Sequence, residues 1–147
     1  MLGVYNLYTL ANNLYKKRIP IFPKIIQKLI RIIYGCYIPY ESNIGKGTRF
    51  IHEGLGVVIH QKATIGKNCF INTSVVIGGS NHKKVVPKIG NNVYIGTGVI
   101  IVGEVSIGNN VAIGANSVVV NDIPDGCLVV GTPAKIIKKN IDIKDYL

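Results

Sequence analysis

From Ile89 onward the sequence falls into groups of six: IGNNVY, IGTGVI, IVGEVS, IGNNVA, IGANSV and VVNDIP. The first place of each group holds Ile89, Ile95, Ile101, Ile107, Ile113 and Val119. The second place is usually Gly, and the fifth is small or β-branched (Val93, Val99, Val105, Val111, Ser117). The same register runs back through Ile77, Ile71, Ile65 and Ile59 to Phe50 and Ile44, so twelve positions carry a large apolar residue. A period of six is neither the 3.6 of a helix nor the two of a plain strand. One deep apolar anchor every six residues suits one flat side of a triangular coil. Coils of three such sides stack by parallel pairing, about 4.8 Å apart. Ile then lies on Ile up the inside of a prism, each rung covering the next, while Gly at the second place serves a crowded corner. This is the hexapeptide β-helix pattern.

Two breaks interrupt the register. Phe50 to Ile59 spans nine residues, so three are extra near Gly54–Val58. Ile77 to Ile89 spans twelve, yet no anchor stands at position 83, and GGSNHKKVVPK reads as a loop thrown out from the coil. Loops carried on rigid scaffolds are common seats of function.

Composition narrows the classes. The chain has 147 residues, 48% of them hydrophobic and 16% charged, which suits about one folded domain and excludes a disordered chain. Gly does not recur at every third residue, so collagen is excluded. With no Trp and three Phe, the core must be built from Ile, Val and Leu. The three Cys, at 36, 69 and 127, are odd in number and lack a C-x-x-C pair, which points to reduced thiols and a cytoplasmic setting. MLGVYNLYTL has no early basic region and no small-residue cleavage pattern, so no signal peptide is expected. No run of 18 apolar residues is present, so no membrane span is expected.

Residues 1–40 differ from the repeats. Apolar residues at 4, 5, 7, 8, 11, 14 and 15 suit a helix, interrupted by Lys16-Lys17-Arg18 and by Pro20 and Pro23. Lys24 to Tyr34 then sets Lys24, Gln27, Lys28 and Arg31 on one stripe with Ile or Leu elsewhere, an amphipathic basic helix. Two expectations follow: packing on the β-helix or on another subunit, and peripheral membrane contact through residues 19–38. The organisation expected is a helical segment 1–40, a β-helix domain 41–134 and a basic extension 135–147.

FIHEGLGVVI, IGKNCFI, VVIGG, the long repeat from PKIGNNVYIG and GTPAKI together resemble the hexapeptide acyltransferases. The resemblance, over roughly residues 40 to 139, is to serine acetyltransferases and to the colanic-acid and capsular O-acetyltransferases; the helical segment suits the latter. It implies an all-β fold, a left-handed parallel β-helix with a short α-helical segment ahead of it, assembled as a homotrimer with active sites in shared grooves. It also implies acetyl-CoA as donor and no metal.

The resemblance makes His52 the catalytic base. A hydroxyl titrates far above pH 7 and is a poor nucleophile; a neutral imidazole can take its proton as it attacks a thioester carbonyl, worth typically 10² to 10⁴ in rate. The pantetheine arm is expected along small residues, at Gly78, Gly79, Gly96, Thr97, Gly114 and Ala115, with Thr132 and Lys135 near the nucleotide end. Glu53, His60, Asn72 and His82 are the candidate acceptor contacts. The chain also departs from the serine acetyltransferase pattern. Ile51 stands where an Asp usually precedes the His, His60-Gln61 replace Gly-Glu, and Val85-Val86 replace Arg-His before Pro87-Lys88-Ile89. These departures favour a sugar hydroxyl of a bacterial surface polysaccharide as acceptor, with serine the alternative, a sugar amine behind it and a non-enzymatic β-helix scaffold further off.

A γ-type carbonic anhydrase would need three His on zinc. His52, His60 and His82 are the three available, with no H-x₄-H spacing among them. The net charge of +10 lies mostly at the ends and in one loop, without the aromatic platform of a nucleic-acid binder, so no nucleic-acid partner is expected.

Overall fold

In the computed structural model, which describes residues 3–80 and 85–147, the repeats wind into a parallel β-helix of triangular section. The first face stacks β1 (Asn43–Ile44), β4 (Thr64–Ile65), β7 (Lys88–Ile89) and β10 (Ser106–Ile107). The second stacks β2 (Arg49–Phe50), β5 (Phe70–Ile71), β8 (Tyr94–Ile95), β11 (Ala112–Ile113) and β13 (Cys127–Gly131), closed by antiparallel β14 (Ala134–Lys139). The third stacks β3 (Val58–Ile59), β6 (Val76–Gly78), β9 (Ile100–Val102) and β12 (Val118–Val119).

The six-residue register is the register of the prism. All twelve anchors are buried, Ile59, Ile71, Ile77, Ile95, Ile101 and Ile113 completely. Like sits on like: Ile71 pairs with Ile95, and Ile95 with Ile113, while Ile77 pairs with Ile101, and Ile101 with Val119. The glycine column has a steric origin. A Cβ on Gly66 would come within van der Waals overlap of the Gly90 carbonyl in the next coil, so any side chain there would force the coils apart. Beside it, Asn side chains tie coil to coil: Asn91 Oδ1 accepts the Lys67 N–H at 2.7 Å, and Asn109 Oδ1 accepts the Asn91 N–H at 2.8 Å.

A β-helix must cover its ends, because an open coil presents unpaired backbone groups. Here α1 (Val4–Lys16) closes the first coil. The Tyr8 hydroxyl donates to the Ser42 carbonyl at 2.6 Å and accepts the Ile44 N–H at 3.1 Å. Asn12 Nδ2 donates to the Tyr40 carbonyl at 2.7 Å, and both side chains are buried. Against α1 packs α2 (Phe22–Tyr34), which starts two residues earlier than the expected Lys24–Tyr34, because Phe22 and Pro23 form its first turn. The stretch 135–147 carries most of β14 and a 3₁₀ turn; Ile141 and Ile143 pack on Ala112 of the second face, with Tyr94, Leu128 and Tyr146 around them.

Candidate active site

The insertion between β2 and β3 forms a four-residue 3₁₀ turn, Ile51–Gly54, at the corner between the second and third faces. It lies ahead of the expected Gly54–Val58, because Val57 is already back in the core and Val58 in β3. His52 (φ 51°, ψ 42°) and Glu53 (φ 54°, ψ 25°) both sit in the left-handed region. Neither is Gly, and each such residue costs roughly 1–2 kcal/mol. Left-handed residues recur at the coil corners (Asn68, Ser74, Asn92, Asn110, Asn116), but among the described residues only His52 and Glu53 are two such non-Gly residues in succession. The result exposes His52, whose imidazole has no hydrogen-bond partner among the described residues. Its neighbour is differently employed: Glu53 Oε2 accepts the Val4 N–H at 2.7 Å and so caps the start of α1, where a negative charge is favoured.

Helix, first coil and turn enclose a cleft of about 570 Å³ lined by Val4, Tyr5, Thr48, Arg49, Phe50 and His52, among others. Arg49 was not among the residues singled out by sequence. Its guanidinium lies 5.4 Å from the centre of the Phe70 ring, a cation held at the mouth of the same cleft as His52. Nothing in the string TRFIH marks Arg49, because the start of α1, 46 positions earlier, forms the opposite wall. The cleft has no competing thiol nucleophile: Cys36, Cys69 and Cys127 are all buried and free. Burial, with the charge of Glu53 added, pushes the Cys36 thiol up to about 11.

The expected donor-binding residues separate into two columns. Register alignment of Phe50, Ile71, Ile95 and Ile113 stacks the residues that follow them, so Asn72, Gly96-Thr97 and Gly114-Ala115 rise above the His52 turn at one corner. Asn72 Nδ2 donates to the Ile95 carbonyl at 2.9 Å, which uses that amide within the ladder. Thr132 Oγ1 donates to the Asn116 carbonyl at 3.2 Å at the top of the column, with Lys135 exposed nearby on β14. Gly78 and Gly79 lie at the next corner, where the third face ends, together with His60. There the Lys62 N–H donates to His60 Nδ1 at 3.1 Å. His52 and His60 thus flank opposite ends of β3, and His82 lies outside the described residues.

The glycines are of two kinds. A Cβ on Gly96 would meet the backbone of the next coil, Ala115 N at 2.7 Å, so the coil itself demands it, while one on Gly114 would meet the Val130 side chain, Cγ1 at 2.7 Å. Among the described residues, a Cβ on Gly78 would meet nothing nearer than Val102 Cγ1 at 3.8 Å, and one on Gly79 nothing nearer than Val86 Cγ1 at 3.4 Å. The described residues of the fold do not require these two to be small.

A hexapeptide β-helix is the fold of the hexapeptide-repeat transferases, and comparisons with known proteins place the chain in that class. The family model "Bacterial transferase hexapeptide (six repeats)" matches residues 87–121. The serine acetyltransferase of Helicobacter pylori strain 26695 is 38% identical over 135 residues, 90% of this chain and 78% of that protein. That of Synechococcus elongatus is also 38% identical over 135 residues, 90% of this chain but 55% of the relative. Among solved structures, a serine acetyltransferase from Brucella abortus strain S19 in complex with coenzyme A is similar at TM-score 0.88 and 30% identity, over 93% of this chain and 55% of that one. The chain belongs to the hexapeptide-repeat acyltransferases, in the family of the serine acetyltransferases, and its fold is their left-handed parallel β-helix. It spans little more than half the length of several of these relatives.

Proposed function

We propose that the protein is an acetyl-CoA-dependent O-acetyltransferase in which His52 is the general base. The single observation that carries this is the exposed imidazole, held by two left-handed residues at the mouth of a cleft. His52 takes the proton from the acceptor hydroxyl as its oxygen attacks the thioester carbonyl. As the carbon–sulfur bond breaks, the imidazolium returns that proton to the departing thiolate. No covalent acyl-enzyme is needed, in keeping with the buried thiols.

Serine is the acceptor best supported by the relatives, which are serine acetyltransferases over nine tenths of this chain. Arg49 suits that reading, since a cation lining the same cleft as the base could pair with an acceptor carboxylate. A sugar hydroxyl is the second reading, favoured by Ile51, Val85 and Val86, which lack the polar groups of the serine acetyltransferase pattern. Thiol release from acetyl-CoA with L-serine, nucleotide sugars and oligosaccharides separates the two. Turnover with serine, and a KM for serine that rises at least tenfold in Arg49→Gln while kcat holds, is the expected result. Turnover with a sugar alone replaces serine by that sugar; thiol release with neither overturns the activity.

The outward residues of the third face are apolar: Val58, Val76, Ile100 and Val118, with Val58 and Ile100 more than a third exposed. The first face presents Asn43, Thr64, Lys88 and Ser106 instead. We read the third face as the contact of a homotrimer. The His52 turn and Gly78-Gly79 lie at opposite edges of this face, so in such a trimer the His52 corner of one subunit would meet the Gly78-Gly79 corner of the next. A pantetheine arm would run in the groove so formed. Gly78→Ala should fold and assemble normally yet raise the KM for acetyl-CoA about tenfold, about 1.4 kcal/mol. Initial-rate kinetics beside a thermal melt and a mass measurement check this; an unchanged KM removes Gly78 from the donor site.

A further inference from the structure

The helix pair leaves one surface that the catalytic reading does not use. On α2, Pro23 and Ile30 are buried against the body, with Ile26, Gln27 and Tyr34 half-buried beside them. The rest of the helix is bare. Phe22 (60%), Ile25 (46%), Leu29 (46%), Ile32 (78%) and Ile33 (59%) are exposed, and Ile21 just ahead of the helix is 65% exposed. At 100° per residue these helical positions fall in one stripe about 100° wide. Lys24, Lys28 and Arg31 fall in an adjacent stripe and are also exposed. Lys16, Lys17 and Arg18, all exposed, sit at the turn into the helix. Residues 1–40 therefore hold six of the seventeen basic residues and no Asp or Glu.

We propose that this face of α2 docks the protein on an anionic membrane surface. Five large apolar side chains in one stripe are the part of such a helix that enters the acyl boundary, and a cationic stripe beside them meets the headgroups. Charge selects the occupant. A second copy of the same face would bring Lys24, Lys28 and Arg31 against one another with no carboxylate in the segment to answer them. An anionic lipid leaflet supplies the missing charge. Length selects the mode: no helix among the described residues is long and apolar enough to cross a membrane, and α2, with 13 residues, reaches only about 20 Å, so it lies in the surface. The contact is independent of which hydroxyl the enzyme acetylates.

The test is flotation of the whole chain with vesicles of phosphatidylcholine alone and of phosphatidylcholine mixed with phosphatidylglycerol, at low and high salt. Binding is expected to the anionic vesicles and to weaken as salt rises, since exposed charges are screened. Each cation near such a surface strengthens binding about fivefold, so Lys24→Gln, Lys28→Gln and Arg31→Gln together should weaken it about a hundredfold. Ile32→Ser, at the most exposed apolar position of the stripe, should weaken binding at both salt concentrations. Both variants should keep thiol release on a soluble acceptor. Wild-type protein left at the bottom of the gradient with anionic vesicles overturns the proposal. So does Ile32→Ser changing the subunit count of the lipid-free protein, because the face is then a subunit contact.

Discussion

His52→Ala is expected to fold, assemble and bind coenzyme A like the parent while losing at least about 10² of turnover, the lower end of what a positioned base contributes. The structural reason for the clean separation is local. The imidazole is exposed and has no hydrogen-bond partner among the described residues, so its removal leaves no buried group unsatisfied. Alanine keeps the Cβ, so the left-handed backbone at φ 51° is no more and no less strained than before. Thiol release per active site, measured beside a thermal melt and a coenzyme A titration, is the check. A variant within threefold of parental turnover would remove His52 as the base. Glu53→Ala, by contrast, should act on stability, since it uncaps α1 and leaves the Val4 N–H without its carboxylate.

Ile101→Asp should not yield a folded protein. Ile101 is fully buried, with Ile77 paired on one side and Val119 on the other. The substitution loses the burial of a large aliphatic side chain, about 1.5–3 kcal/mol. It also sets a carboxylate among aliphatic side chains with no cation paired to it, at a cost of several kcal/mol more. Together these approach or exceed the 5–15 kcal/mol that holds a domain together. The expected outcome is insoluble protein, or a circular dichroism spectrum without a cooperative melt. Ile101→Val, which removes one methylene from the same rung, should cost only about 0.5–1.5 kcal/mol and retain activity. A soluble Ile101→Asp with a cooperative melt would mean that the rung does not face the interior.

How much the sequence alone shows differs from residue to residue. The anchors from Ile44 to Val119 were legible because a solenoid makes each coil see only its neighbours. Burial is then a periodic property of the chain and prints itself as a period. The glycines at Gly66 and Gly90 were legible for the same reason, each being pressed by the backbone of the next coil. His52 was visible as a basic side chain inside an insertion, although its role came from resemblance and not from spacing. Glu53 was not legible: a carboxylate beside the candidate base reads as an acceptor contact, and only the approach of α1 makes it a helix cap. Arg49 was missed altogether, because the cleft it guards has one wall from the first coil and the other from α1.

The repeating sequence by itself determined the prism, its period, its buried column and the places where the register breaks, since these depend on contacts between neighbouring coils. Only the tertiary structure decided what those breaks accomplish. It set which corner each break occupies, separated Gly78 and Gly79 from Gly96 and Gly114 by the space around them, and left the apolar stripe of α2 uncovered. These are properties of elements distant in sequence meeting at a surface, where no period operates and each contact depends on where the rest of the chain has been carried.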